Sequence, residues 1–535
     1  ATTAVGAEAG FWLLWLVGIG CVIKVFTQIE LGRYTIVSGQ TTLDALEDVP
    51  GPRIARRGNW LVWYWMVMFV ASVGQLGGII GGVGQALSIS IPLTDAGRRS
   101  CEIASAETEF RVKRRAALLL VRRALESPDG VELPRDALLN LASSLETLDE
   151  RAEGMALANL EEPLAAVVSS ARSASSATTL TVIEEIGDHI ADAEAAYAKA
   201  RGLGERPEAV WDARLWAVII ATITAALLVV GRYGLIQSVS TVLVALFTFV
   251  TVATVLLLQR SATWHITWDE LLQGLSFRLP PSESVAEGKK PLATALMAFG
   301  IIGVGATELV YYPYWCLERG YARFTGARSE TSEWADRARG WLRVMRLDAW
   351  GSMLIYTFAT IAFFLLGAAT LGRIGLDAKG NEMVRTLAVM YEPVFGSWAP
   401  PVFLFGAFAV LYSTFFVANA SNARVLADAL RVVNVLAKDD RTNLRWVRIL
   451  SGALPFVCLV IYLGIPEPKK LVLIGGAMQA LMLPMLAGAA LWFRYRRSDA
   501  RLAPSRVWDA FLWLSGLAML VAGGTLLVNE ILRWV

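Results

Sequence analysis

The sequence predicts an all-α, polytopic membrane protein, and three observations carry that expectation. Hydrophobic residues make up 55% of the 535-residue chain, and its mean hydropathy is +0.50. Several apolar runs reach the length a helix needs to cross a hydrocarbon core of ~30 Å. Trp residues such as Trp60, Trp63, Trp216 and Trp508 flank those runs, where amphipathic rings suit a membrane interface.

Ten spans are predicted, at 11–35, 60–91, 213–231, 235–259, 293–317, 348–372, 400–432, 446–464, 469–494 and 508–531. Basic residues gather in alternate loops. Arg53, Arg56 and Arg57 follow the first span; Arg319, Arg323, Arg328, Arg337, Arg339, Arg343 and Arg346 follow the fifth. Arg424, Arg431, Lys438, Arg441 and Arg445 follow the seventh, and Arg494, Arg496, Arg497 and Arg501 the ninth. Excess positive charge marks cytoplasmic loops, so these loops are expected in the cytoplasm. The opening "ATTAVGAEAG" has no basic n-region and no apolar h-region, so it is not a signal peptide. It reads as the tail of a segment that begins earlier.

Residues 95–212 interrupt the pattern. This segment is polar with helical periodicity, as in "ETEFRVKRRAALLLVRRAL" and "TVIEEIGDHIADAEAAYAKA". Its position between the second and third spans puts it outside the membrane on the outward side, as a helical hairpin or small bundle. The domain reading is therefore a transmembrane region at 1–94, an extramembrane helical insertion at 95–212, and a second transmembrane region at 213–535. A protein partner for the insertion is the sharper alternative to a merely solvated face.

Charge and reactive side chains exclude several classes. The net charge of +2 says little, because charge in a membrane protein matters by location rather than in total, and no nucleic-acid partner is expected. Cys21, Cys101, Cys316 and Cys458 are scattered, with no disulfide framework or paired metal motif. His189 and His265 lie outside the apolar runs, which argues against an intramembrane histidine relay. No constellation of nucleophile, base and metal suggests an enzyme, and no cofactor is expected.

The stretch "GVGATELVYYPYWCLERG", residues 303–320, combines chemistry with an apolar setting. Gly300, Gly303 and Gly305 permit unwinding, and Pro313 removes a backbone donor, so the span is expected to kink or stop there. Glu308 places a charge that costs at least ~2.5 kcal/mol near a bilayer centre unless something compensates it. A bound cation is one compensation; an ion pair with Lys24 is the bland one. Lys24 and Gln28 lie one helical turn apart on a shared face, deep in the first span. Lys24 reads as a counter-charge, part of a proton path, or a structural partner. Glu30 and Arg33 lie nearer the cytoplasmic end, where a snorkelling interfacial pair is expected. The small residues of "GQLGGIIGGVGQ", 74–85, suit close helix packing, since no strand or Lys-Ser/Thr supports a nucleotide loop. Asn419, Ser421 and Asn422 either line a pathway or bond between helices.

The opening "GAEAGFWLLWLVGIGCVIKVFTQIELGRYTIVSGQTTL" resembles the second transmembrane helix of Nramp-family divalent metal transporters, with Gln28, Arg33 and "VSG" at 37–39 in the corresponding positions. The resemblance continues more weakly through "GATELVYYPYW", "FAVLYSTFFVANASNARVLADA" and "ALMLPML", and leaves out 97–210. It implies the LeuT-type inverted-repeat fold with about 11 transmembrane helices, the first lying largely before residue 1. The family's sixth-helix motif, Ala-x-x-Met-Pro-His-Asn, reads here Ala306, Thr307, Glu308, Leu309, Val310, Tyr311 and Tyr312. Leu309 thus replaces the thioether, and Tyr311 the His. A family Gln in the tenth helix maps to Gly476, with Gln479 one turn away.

The metal or substrate contacts implied by the resemblance are Ala306, Thr307, Glu308, Leu309, Tyr312 and Gln479. Coupling or gating falls to Lys24, Gln28, Glu30, Pro313 and Asn419. With Leu309 in place of sulfur, the donors are hard oxygens, which suit Mg²⁺ or Mn²⁺ better than softer metals, with Fe²⁺ behind them. The expectation is a secondary transporter of divalent cations in a bacterial inner (plasma) membrane. The resemblance also implies proton coupling, against which stands the loss of the family His. Two rivals remain: a LeuT-fold carrier of a small organic solute, and a non-transporting membrane receptor or scaffold.

Overall fold

A computed structural model describes residues 1–54, 58–126, 135–150, 177–207, 210–231, 233–261, 263–281, 290–378 and 380–531. Arg56 and Arg57, and parts of the insertion, lie outside them. The described residues are almost wholly helical. Thr2–Ala9 (α1) leads through Gly10 to Leu14–Val22 (α2) and Lys24–Ser38 (α3), which meet at Ile23. There follow Thr42–Glu47 (α4), Trp60–Ser90 (α5), Asp95–Glu126 (α6), Arg135–Glu150 (α7), Ala177–Gly202 (α8), Asp212–Val230 (α9) and Tyr233–Leu258 (α10). The second half comprises Trp268–Gly274 (α11), Pro291–Phe299 (α12), Ala306–Glu318 (α13), Tyr321–Thr325 (α14), Ser332–Leu366 (α15), Met383–Ala388 (α16), Glu392–Phe395 (α17), Ala399–Val432 (α18), Asp440–Gly464 (α19), Pro468–Arg496 (α20) and Arg506–Ile531 (α21).

Among the described residues, nine helical stretches are long and apolar enough to span a membrane. They correspond to nine of the ten expected spans. The tenth, 293–317, is interrupted: α12 ends at Phe299 and α13 begins at Ala306. The interruption falls at the Gly-rich stretch 300–305 rather than at Pro313, which lies inside α13. This corrects the expected role of Pro313. Gly303 has φ +69°, a left-handed conformation that a side chain strains. A Cβ at Gly300 would lie 2.0 Å from the Gly476 carbonyl oxygen, so the absent side chain lets α12 press onto α20.

At the centre, α5 packs against α9, α18, α19 and α20. Its glycines allow this approach: a Cβ at Gly78 would meet the Pro468 carbonyl at 2.6 Å, and one at Gly84 the Ala213 carbonyl at 2.3 Å. The stretch 74–85 is therefore a packing surface.

The insertion forms its own small core. Leu120 and Val121 of α6 pack with Leu138, Leu141 and Leu145 of α7 and with Ile183, Ile186 and Ile190 of α8. It also docks on the membrane helices. Lys113 pairs with Glu392 at 3.4 Å, Arg206 with Glu382 at 3.1 Å, and Arg115 donates to the Gly375 carbonyl at 2.6 Å.

One carboxylate clasps the two ends of the insertion together. Asp212, at the start of α9, accepts from the backbone N–H of Leu93 (2.6 Å) and Thr94 (3.1 Å) and from the Thr94 hydroxyl (2.6 Å). Asp212→Ala should remove all three bonds from a buried acceptor. The expected loss is about 3 kcal/mol, read as a lower melting temperature of the detergent-purified protein. Faster proteolysis within 95–212 should accompany it.

Candidate functional site

The helix break gathers the polar groups. Glu308 is the third residue of α13, where a negative charge is favoured by the exposed N–H groups of a helix start. Its carboxylate folds back over Gly305: a Cβ there would lie 2.1 Å from Glu308 Oε2. Thr307 Oγ1 donates to Glu308 Oε2 at 3.0 Å or to Gln479 Oε1 at 3.1 Å, and the Thr307 N–H points at the same Gln479 oxygen at 3.3 Å. Gln479 Nε2 donates in turn to Gln75 Oε1 at 2.5 Å. Thr307, Glu308 and Gln479 are therefore brought together, and Gln75 joins them from the glycine-rich face of α5. Gly476, to which the family Gln maps, instead makes the close contact with α12.

Glu308 is exposed although the residues on both sides of it are buried. What it faces is a cavity of about 670 Å³, lined at this end by Gln28, Gly303, Val304 and Glu308. Its walls continue through Tyr312, Cys316, Asp348, Ser352, Tyr356 and Ser421 to Glu318, Arg319 and Arg424. Gln28 is 6% exposed, and its Oε1 has no hydrogen-bond partner. An amide oxygen left this way at the end of a cavity costs free energy unless water or a ligand reaches it.

Several expected site residues do not reach this cavity. Leu309 is fully buried in the apolar core, so it offers no surface to a substrate. Ala306 is also fully buried, and as the first residue of α13 it spends its carbonyl on the helix's own ladder. Asn419 is fully buried, donating to the Phe415 carbonyl at 2.8 Å and facing Cys458 of α19. Asn422 accepts from Tyr311, the residue standing where the family has His. Of Asn419, Ser421 and Asn422, Ser421 alone is among the cavity-lining residues.

Glu30 and Arg33 do not snorkel. Their side chains are 1% and 4% exposed and pair at 3.2 Å; Arg33 also donates to the Leu502 carbonyl, and Trp508 to Glu30. This is a buried structural pair away from the cavity. Lys24 is not paired with Glu308 either. Its Nζ donates to the carbonyls of Phe299 and Ile302, the backbone end of α12. Asp348, Ser352 and Tyr356 were missed from sequence. They begin an apolar span, and only a carboxylate at the span's edge hinted at a polar wall.

An interrupted helix that meets a cavity with polar side chains on its wall, inside a helical membrane bundle, is the construction of a secondary transporter. The chain belongs to the Nramp family, natural resistance-associated macrophage protein-like, which matches residues 164–529. That family carries divalent metals across membranes on the LeuT-type architecture and is not enzymatic; metal is its substrate rather than a bound cofactor. Solved structures similar to the chain include two mutants of the Eremococcus coleocola manganese transporter. In one a histidine is replaced by alanine and in the other a glutamate by glutamine. Each is 14% identical with a TM-score of 0.37, over 96% of this chain and 86% of that one. MhsT in complex with L-phenylalanine is 13% identical with a TM-score of 0.32, over 99% of this chain and 96% of that one. Among curated proteins no match is found.

The two charged positions differ in kind, and a melting curve separates them. Arg33→Met strands the buried Glu30 carboxylate and should cost roughly 3–5 kcal/mol. Glu308→Gln forfeits a helix-start charge that already faces the cavity, at under about 1 kcal/mol. Thermal unfolding of the two purified variants beside the wild type should show a large and a small shift.

Proposed function

We propose that the chain imports divalent cations, Mg²⁺ or Mn²⁺ ahead of Fe²⁺, through the cavity that ends at Glu308. The observation that carries this reading is the donor set. Glu308, Thr307 Oγ1, Gln479 Oε1 and the unpartnered Gln28 Oε1 are all oxygens. Oxygen sets favour hard cations, and Mg²⁺ in particular sheds its water reluctantly. A cavity of about 670 Å³ has room for roughly twenty waters at ~30 Å³ each, so an ion can keep most of its hydration shell. The one thiol on its wall, Cys316, lies eight residues beyond Glu308, about 12 Å along the helix. That is too far to share an ion with it.

Orientation belongs to the same proposal. The Arg-rich loops face the cytoplasm of a bacterium, the insertion faces outside the inner membrane, and the cavity opens beside Arg319 and Arg424 toward the cytoplasm. Proton coupling is carried over from the family resemblance. A second reading has one observation in its favour: the aromatic walls from Tyr312, Trp315 and Tyr356 and the cavity's size also fit a small organic solute.

Uptake into proteoliposomes decides among these. Wild-type protein should take up Mg²⁺ or Mn²⁺ saturably, with Ca²⁺ and Fe²⁺ weaker, and an inward proton gradient should raise the rate. Glu308→Gln should weaken apparent affinity about 10–100-fold, the worth of one charge-assisted contact. Folded protein that carries none of the four ions would overturn the metal reading and favour the organic solute.

A further inference from the structure

A positive charge sits in the break without a carboxylate to pair with. Lys24 is fully buried, and its Nζ lies 2.6 Å from the Phe299 carbonyl oxygen and 2.5 Å from that of Ile302. The same ammonium lies 4.9 Å from the centroid of the Phe299 ring, a cation–π contact. No ion pair joins Lys24 to any Asp or Glu among the described residues. These two are among the carbonyls the backbone leaves over in the break. Ala298 accepts from the N–H groups of Ile301 and Ile302, and Gly300 accepts from Ala306, while no backbone N–H among the described residues donates to the Phe299 or Ile302 carbonyl. The end of a helix carries partial negative charge on such carbonyls, and in a bilayer no bulk water is at hand to satisfy them. Carbonyl oxygens converging on one point, beside an aromatic face, are what a small monovalent cation coordinates.

We propose that the ammonium of Lys24 is a tethered monovalent cation. Reaching from the first turn of α3, it fills a carbonyl site at the end of α12 that would otherwise bind Na⁺ or K⁺. The break is then held open by a cation tethered to the chain, and the transport cycle needs no dissolved monovalent ion. The glycines around the break fit this role. A Cβ at Gly20, on the helix before Lys24, would press on Phe299 and Ile302, and one at Gly303 would meet Cys21 at 2.9 Å, so α2 and the break are locked at the distance the lysine spans. Only the consequence for transport rests on the proposed function; the cation site itself rests on geometry.

The test compares purified full-length protein in NaCl, KCl and choline chloride at equal ionic strength. Wild-type protein should melt at the same temperature in all three salts. Lys24→Met should melt about 5 °C lower in choline, for two orphaned carbonyls, and recover most of that loss in NaCl or KCl. Lys24→Gln, which keeps one donor for a carbonyl, should show the same pattern with a smaller loss. Equal melting of Lys24→Met in the three salts overturns the proposal, and so does stabilisation of the wild type by Na⁺ or K⁺. In proteoliposomes, Mn²⁺ uptake by the wild type should be indifferent to the three salts, whereas uptake by Lys24→Met should require Na⁺ or K⁺; wild-type uptake that requires either ion overturns the proposal. Should Mn²⁺ not be carried at all, the transport reading fails, while the melting comparison still decides what Lys24 does.

Discussion

Everything at the centre of this molecule follows from the difficulty of breaking a helix inside hydrocarbon. An intact helix satisfies its own backbone; an interrupted one releases carbonyls at one end and N–H groups at the other, each costly to leave bare. Between α12 and α13 both sets find partners. The carbonyls of Phe299 and Ile302 receive the Lys24 ammonium, and the Thr307 N–H turns to Gln479. Opposite dipole ends thereby select opposite charges: a lysine where the helix stops, a glutamate where the next one starts. The surrounding glycines are the geometric condition for this, because Gly300 lets α12 lie on α20 close enough to bring Gln479 within reach.

The same economy separates structural charges from available ones. Glu30 and Arg33 neutralise each other in a dry interior, and removing either partner is expensive because the survivor stays buried. Among the described residues Glu308 has no ion-pair partner; its stabilisation comes from a helix start and from the cavity it faces. A carboxylate held this loosely can exchange partners, while one locked in a buried pair cannot. Burial thus argues against function for Glu30 and exposure argues for it at Glu308, which reverses the usual intuition about deep charges.

How much of this was legible depends on whether the signal was local. Span lengths and the Gly-rich interruption are written in consecutive residues, so nine continuous spans and one broken one could be read directly. Glu308 stood out because a charge in an apolar run has few innocent explanations. The stop also expected at Pro313 does not occur, because a proline mid-helix needs only a kink, and the interruption falls at the glycines 300–305 alone. What was not legible is which side of a helix meets which neighbour. Leu309 and Ala306 occupy family positions yet face the core, Asn419 turns to Cys458, and Lys24 finds carbonyls rather than Glu308. Each depends on the rotation of a helix against partners hundreds of residues away. Asp348 and Tyr356 were missed for the same reason.

Under the proposed function, the pairing of Lys24 with the carbonyls also shapes how tightly an ion can be held. The break contributes one negative charge, Glu308, and one fixed positive charge, Lys24. A dication arriving at Glu308 is attracted by the carboxylate and opposed by the ammonium. The neutral oxygens of Thr307, Gln479 and Gln28 add dipoles without adding charge. Affinity in oxygen sites rises with the number of charged ligands and with rigidity. One carboxylate at the end of a wide cavity supplies little of either. Such a site is suited to an abundant, strongly hydrated ion that must be released as readily as it is bound, and ill suited to scavenging a scarce one. That consideration favours Mg²⁺ over Mn²⁺ within the pair that the donor chemistry selects.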